Sequence, residues 1–268
     1  LLNNQRLILT GVSRHEWSAE SGRVIGMAAM QADLKTFAEH HINAVRTCHY
    51  PDQLPWYRLC DEHGIYMMAE VNLESHGSWQ KMGAVEPTYN VPGSVPEWLP
   101  AVLDRAKTNY ETFKNHPAIL FWSLGNESYA GDDIAAMNAY YKRVDPTRLV
   151  HYEGVSQNRR YEAQISDVES RMYASPEEVA AYLKQPTKPY LLCEYMHDMG
   201  NSLGGMADYM ALLAKYPNFV GGFIWDFIDQ ALWVDDPLTN KRDLRYGGEC
   251  DDRPADYALS VEGVRWAE

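Results

Sequence analysis

Short apolar runs rich in β-branched and aromatic residues alternate along the chain with longer stretches whose apolar positions recur every three or four residues. Eight runs have strand length: 6–12 (RLILTGV), 43–48 (NAVRTC), 65–71 (IYMMAEV), 118–124 (AILFWSL), 148–152 (RLVHY), 168–173 (VESRMY), 189–194 (PYLLCE) and 220–226 (VGGFIWD). Helical patterning covers about 27–41, 54–63, 97–114, 131–143, 176–184 and 204–215, and the connection 153–167 carries the weakest helical signal. Strands alternating with helices pack as right-handed parallel βα units. Eight of them close most simply into one (β/α)₈ (TIM) barrel, a fold of about 250 residues. The reading is one domain over 1–268, with barrel strands over 6–226 and a C-terminal extension over 227–268. Neither end has capping composition, so the chain reads as part of a longer multidomain one.

Composition narrows the partners. With 24 basic against 37 acidic residues, a net charge of −13 and no basic run, the surface is unsuited to tracking phosphates, which argues against nucleic acid. The apolar runs 117–124 and 219–228 are too short to cross a bilayer, and LLNNQRLILTG lacks the order of a signal peptide. Cys48, Cys60, Cys193 and Cys250 show no CxxC spacing and read as reduced, packed thiols, which favours a cytoplasmic location.

A barrel of this kind builds its active site at the C-terminal ends of its strands. The polar residues there are Arg14, His15 and Glu16, then His49, Glu74 and His76, Asn126 and Glu127, Glu153, Tyr173, Glu194 with His197, and Trp225 with Asp226. Glu127 follows AILFWSL and a Gly125–Asn126 turn, and Glu194 directly ends PYLLC. Both are expected to project into the mouth, from strands four and seven facing each other across the barrel. Two carboxylates about 5–5.5 Å apart suit a retaining glycosidase, one attacking while the other protonates. Arg46 and Tyr173 are candidate partners for Glu194. Taken singly, either glutamate reads more readily as an ordinary exposed carboxylate at the start of a loop.

Three segments, NAVRTCHYP (43–51), KNHPAILFWSLGNE (114–127) and CEYMHDMGNS (193–202), resemble the β-galactosidases of glycoside hydrolase family 2, and the likeness runs nearly the whole chain. The wording is most similar to the large subunit of the two-subunit members. The resemblance implies hydrolysis of terminal β-D-galactosides such as lactose, with Glu194 as nucleophile and Glu127 as acid/base. It implies that Asn126 binds the sugar 2-hydroxyl and that His15, His49, His197 and Trp225 line the galactose pocket. It also implies that Glu74 and His76, an ExH pair that alone would read as a solvated loop, hold Mg²⁺ together with Glu127. A Na⁺ site would fall on Leu259 and Glu262, where the longer glutamate side chain departs from the family pattern. Flanking β-sandwich domains or a small subunit, and an oligomer, would complete the enzyme; the barrel alone is expected to bind galactosides loosely. Two other readings stay open: another family 2 activity (β-glucuronidase or β-mannosidase), separable with a panel of aryl glycosides, and a non-catalytic sugar-binding barrel.

Overall fold

The computed structural model describes residues 2–79, 90–198, 202, 204–235 and 241–245. Eight parallel strands, β1 (Leu9–Arg14), β2 (Ala44–Thr47), β3 (Tyr66–Glu70), β4 (Ile119–Ser123), β5 (Leu149–His151), β6 (Glu169–Met172), β7 (Tyr190–Tyr195) and β8 (Phe219–Ile224), run in the order β5-β4-β3-β2-β1-β8-β7-β6. The two outer members meet at a seam. There the Asp167 N–H donates to the Val150 carbonyl at 2.8 Å, the Tyr152 N–H to Ser166 Oγ at 3.1 Å, and His151 Nε2 lies 2.8 Å from Ser170 Oγ. The expected (β/α)₈ barrel is the architecture found.

Helices α1 (Met27–Glu39), α2 (Leu54–His63), α3 (His76–Trp79), α4 (Leu99–Phe113), α5 (Asp132–Val144), α6 (Pro176–Leu183) and α7 (Met206–Lys215) lie between the strands. Their limits follow local chemistry. Proline in the first turn opens α2 and a left-handed Gly64 closes it, whereas a Ser175–Glu178 capping box opens α6. In α4, Val102, Ala106, Asn109 and Phe113 are buried at spacings of three and four, which turns one face to the barrel. The link between β5 and β6 forms only two 3₁₀ turns, Gly154–Ser156 and Arg159–Tyr161. Its polar run Gln157–Arg160 offers no apolar face to bury, so no α-helix forms there.

Inside the ring, Leu9, Ala44, Met68, Phe121, Val168, Leu191 and Phe223 make an apolar plug. Gly11 leaves room for Phe223, since a Cβ there would lie 2.4 Å from that ring. Side chains two residues apart on a strand share a face, so the next inward layer is Arg46, Glu70, Ser123 and Ser170, with His151 beside them. This layer is buried and polar. The floor of the mouth is therefore a charged and hydroxylated stratum seated on hydrocarbon.

Part of the C-terminal extension is an antiparallel hairpin, β9 (Leu232–Asp235) with β10 (Arg242–Arg245). It is fixed to the loop after β1 through the Trp233 N–H on the Ala19 carbonyl, at 2.9 Å, and an Arg242–Glu20 ion pair. Leu259 and Glu262, the expected sodium ligands, lie outside the described residues, as do Gly200 and Asn201.

Candidate active site

Arg46 organises the floor of the mouth. Its guanidinium donates to Glu70 through Nε (2.9 Å) and Nη2 (3.1 Å), to Glu194 Oε1 through Nη1 (2.6 Å) and to Asn126 Oδ1 through Nη2 (2.8 Å). The planar fork suits such multidentate contact where an ammonium would not. Glu70 also accepts from Ser123 Oγ at 2.6 Å and lies 2.9 Å from His49 Nδ1. Burial alone would push the Glu70 carboxyl up; Arg46, His49 and Ser123 outweigh it and hold the group at about 2.

Glu194, on β7, is buried and accepts on both oxygens, from Arg46 on Oε1 and from the Tyr173 hydroxyl on Oε2 at 2.6 Å. Burial, then the Glu194 charge, raise the Tyr173 phenol far above its usual range, so it stays a donor. Glu127 differs. Burial raises its carboxyl, the negative charges of Glu194 and Glu74 add to the rise, and His76 and His49 oppose it. One carboxyl thus accepts from two donors while burial and neighbouring negative charge raise the other, an asymmetry of surroundings that suits a nucleophile and an acid.

The backbone bends sharply around these groups. Glu127 (φ 38°), Tyr173 (φ 54°) and Met196 (φ 55°) all occupy the left-handed region, a conformation that concentrates at functional sites because surrounding bonds must hold it. Around Glu127 the Asn126 N–H donates to the Leu73 carbonyl (2.8 Å), the Glu127 N–H to Glu153 Oε1 (2.7 Å) and the Ser128 N–H to the Tyr152 hydroxyl (3.0 Å). Burial raises the Glu153 carboxyl to about 8, against the attraction of Arg46.

Aromatic rings form one wall. His49 stacks on Trp225 with centroids 5.1 Å apart and planes within 3°, while His15 sits edge-on to both, at 5.8 and 5.4 Å. His15 faces the Tyr50 hydroxyl at 3.2 Å, and burial, aided by His49 and nearby arginines, lowers its imidazole to about 3. It is therefore neutral and can serve as donor or acceptor. His197 lies across the mouth beside Tyr173, centroids 5.5 Å apart. A cleft of about 460 Å³ opens on the β5–β6 side, lined by Glu127, Glu153, Ser156, Gln157, Arg171, Met172, Tyr173, Ala174 and Glu178.

His15, Arg46, His49, Asn126, Glu127, Tyr173, Glu194, His197 and Trp225 thus share one end of the barrel. Two geometric expectations need correcting. Strands β4 and β7 are three apart around the ring, with β5 and β6 between them, so Glu127 and Glu194 flank the seam instead of facing each other across a diameter. Arg14, expected at the rim, points outward: it is buried against Asp33 (2.9 Å), Asp52 (2.7 Å) and the Trp56 ring, tying β1 to α1 and α2. The cause is strand alternation, which turns Ser13 inward and Arg14 out.

The expected magnesium ligands lie together. His76 Nδ1 is 3.0 Å from Glu127 Oε2, Glu74 Oε1 accepts from Asn126 Nδ2 at 3.1 Å, and the Glu74 charge acts on Glu127. Two carboxylates and an imidazole, with His76 and Glu127 partly open to solvent, fit a hard divalent ion that keeps several waters. Among the described residues, the trio whose ligand atoms all lie within 4.8 Å of one another is instead His151, Glu153 and Cys193. Serine hydroxyls face both imidazole nitrogens of that trio, at 2.9 and 2.8 Å.

Glu70, Ser123 and His151 were not anticipated as part of the site. A signal existed: each is a polar residue that directly follows apolar ones within a strand-length run, in YMMAEV, AILFWSL and RLVHY.

Comparison with known proteins agrees with this geometry. The profile described as "Glycosyl hydrolases family 2, TIM barrel domain" matches residues 1–268. Over 268 residues the chain is 66% identical to the β-galactosidase large subunit of Leuconostoc lactis, covering all of this chain and 43% of that protein. It is 64% identical to the large subunit from Lactobacillus acidophilus, again covering 100% and 43%. The chain therefore spans less than half the length of these curated relatives. Among solved structures it superposes on a Ruminococcus gnavus β-glucuronidase with a TM-score of 0.69 at 19% identity, over 90% of this chain and 48% of that one, a likeness of fold. Eight parallel strands, an inward carboxyl on β7 and another just after β4, and a family profile spanning every residue lead to one conclusion: this chain belongs to glycosyl hydrolase family 2, as its TIM barrel domain.

Proposed function

We propose that this barrel is the catalytic domain of a retaining β-galactosidase, with Glu194 as nucleophile and Glu127 as general acid/base. The observation that carries the reading is the asymmetry of the two carboxyls: Glu194 accepts from Arg46 and Tyr173 on its two oxygens, and Glu127 is raised by burial and by Glu194 itself. In the first step a Glu194 oxygen bonds to the anomeric carbon as the glycosidic C–O bond breaks, and the Glu127 proton passes to the departing oxygen. In the second, Glu127 takes a proton from water, the water oxygen bonds to the anomeric carbon, and the glycosyl ester bond to Glu194 breaks. Loss of the first proton allows Glu127 to act as base in the second step.

Galactose would sit against the Trp225 ring, with His15, His49 and His197 reading hydroxyls. Asn126, held by Arg46 and Glu74, would bind the 2-hydroxyl most tightly as the transition state forms. Glu74, His76 and Glu127 would hold Mg²⁺, whose charge lowers the proton affinity of Glu127. A Na⁺ ion against the 6-hydroxyl, with Leu259 and Glu262 among its ligands, remains part of the proposal. A galactoside is favoured over a glucuronide because the relatives at 66% and 64% identity carry the galactosidase name. The same relatives are large subunits, which supports a separate small subunit as partner; a cytoplasmic, oligomeric enzyme acting on galactosides such as lactose is the rest of the proposal. No helix among the described residues is long and apolar enough to cross a membrane.

Incubation with 2-deoxy-2-fluoro-galactosyl fluoride, which slows both steps and traps the ester, followed by peptide mapping, tests the assignment. The label is expected on Glu194. Labelling of another residue, or labelling only by the glucuronyl analogue, overturns it.

A further inference from the structure

Glu153 follows β5 by two residues and is buried, with 3% of its surface exposed. One oxygen, Oε1, accepts the Glu127 peptide N–H at 2.7 Å, and the other makes no hydrogen bond among the described residues. Its partner is a special peptide: Glu127 has φ 38°, which a side chain other than glycine holds only when its surroundings enforce it. The adjoining amides are tied to other groups, Asn126 to a main-chain carbonyl and Ser128 to the Tyr152 phenol. Without Glu153 the Glu127 N–H would lose its acceptor, and the segment would be free to rotate toward an ordinary conformation that carries the Glu127 carboxyl away from the cleft it shares with Glu153.

We propose that Glu153 is a positioning residue for the general acid: through Oε1 it fixes the Glu127 peptide in its left-handed conformation and so aims the Glu127 carboxyl at the departing glycosidic oxygen. This rests on the acid/base reading of Glu127. Glu153 itself touches no reacting atom, since its bond is to the main chain. The Arg46 network has a separate task, because it serves Glu194 and Asn126.

The consequence is selective. A misaimed acid harms substrates with poor leaving groups and spares those whose leaving group departs as an anion without protonation. The test uses the full-length protein with any subunit that co-purifies, and measures kcat/KM across aryl and alkyl galactosides of graded leaving-group pKa. Glu153→Leu keeps the volume and removes the acceptor. It is expected to lose about 10²-fold, the cost of a roughly 1 Å misplacement, on lactose and alkyl galactosides, and far less on dinitrophenyl galactoside. Glu153→Gln keeps an acceptor oxygen and is expected to stay within about threefold of wild type on all of them, well short of what general acid catalysis contributes. If Glu153→Leu does not fold, Glu153→Asp, which draws the acceptor back by one methylene, serves in its place with a smaller loss of the same selectivity. Equal losses across all leaving groups, or Glu153→Gln as impaired as Glu153→Leu, overturn the proposal. Glu127→Ala is the reference. If it shows no leaving-group selectivity, the acid/base reading is what fails; if it shows selectivity and the Glu153 variants do not, only the positioning role falls.

Discussion

Replacing Glu70 by glutamine tests whether the buried layer beneath the site is electrostatically built as described. The amide keeps the shape of the carboxyl and can still accept from Ser123, but it removes the charge that Arg46 contacts at 2.9 and 3.1 Å. A carboxyl brought from an ordinary 4.5 down to about 2 by folding is stabilised as an anion by about 3 kcal/mol, at about 1.4 kcal/mol per tenfold change. The sign follows from linkage. Because the folded value lies below the unfolded one, this stabilisation is complete above the unfolded value near 4.5 and is lost as pH falls toward about 2. Glu70→Gln is therefore expected to unfold at lower urea concentration at pH 7, by the equivalent of about 3 kcal/mol, and the gap to wild type should shrink steadily between pH 4.5 and pH 2. Paired denaturation curves by tryptophan fluorescence, at pH 7 and at several acidic values, measure it. A destabilisation that is the same at every pH would show that packing, and not the charge of Glu70, accounts for the loss. A change below about 1 kcal/mol at pH 7, the net worth of one ordinary hydrogen bond, would refute the strong coupling to Arg46.

Tyr173→Phe removes the hydroxyl that donates to Glu194 at 2.6 Å; a hydrogen bond to a charged group is worth about 1.5–3 kcal/mol, so kcat on nitrophenyl galactoside should fall about 10- to 100-fold. Because the bond is lost to a carboxylate that is 3% exposed, the same variant should also melt a few degrees lower, and an unchanged melting temperature would contradict this. Gly221→Ala forces a side chain onto a residue at φ 119° and places its Cβ 2.1 Å from the Leu9 carbonyl oxygen; a loss of about 3 kcal/mol or more, or failure to accumulate folded, is expected in denaturation assays. Chelation with EDTA should lower activity and added Mg²⁺ restore it, with Glu74→Gln requiring more of the ion; activity indifferent to both treatments would count against the magnesium proposal.

Much of the fold was legible because its signals are local. The apolar runs that became β1 to β8 are short, bounded by turns and separated by amphipathic stretches, and each half of that pattern is set by residues close in the chain. Even the weak link, 153–167, was visible as the connection with the weakest helical signal. The rim residues followed from one rule, that barrels of this kind use the C-terminal ends of their strands, and for Glu127 and Glu194 the motif resemblance pointed to the same positions.

The limits of that reading have equally physical causes. Orientation within a strand depends on pleat phase, so Arg14 looked like a rim residue until alternation sent it outward to Asp33 and Asp52. Strands pair in chain order around this ring, so β4 and β7 stand three places apart, and only strands four apart, such as β4 and β8, lie across a diameter. The ion-pair layer joins residues up to 148 positions apart, as in Arg46 with Glu194, and no periodicity records such a meeting. By itself the sequence determined the strand and helix pattern, the end of the barrel that carries chemistry, and the candidate carboxylates, since these rest on short-range patterning and composition. Only the tertiary structure decided that Arg46 would hold Glu70, Asn126 and Glu194 together and that Glu153 would clasp the Glu127 peptide. Closing the ring brings distant residues within a few ångströms of one another in a buried space, where each polar group must find a partner or pay in free energy for lacking one.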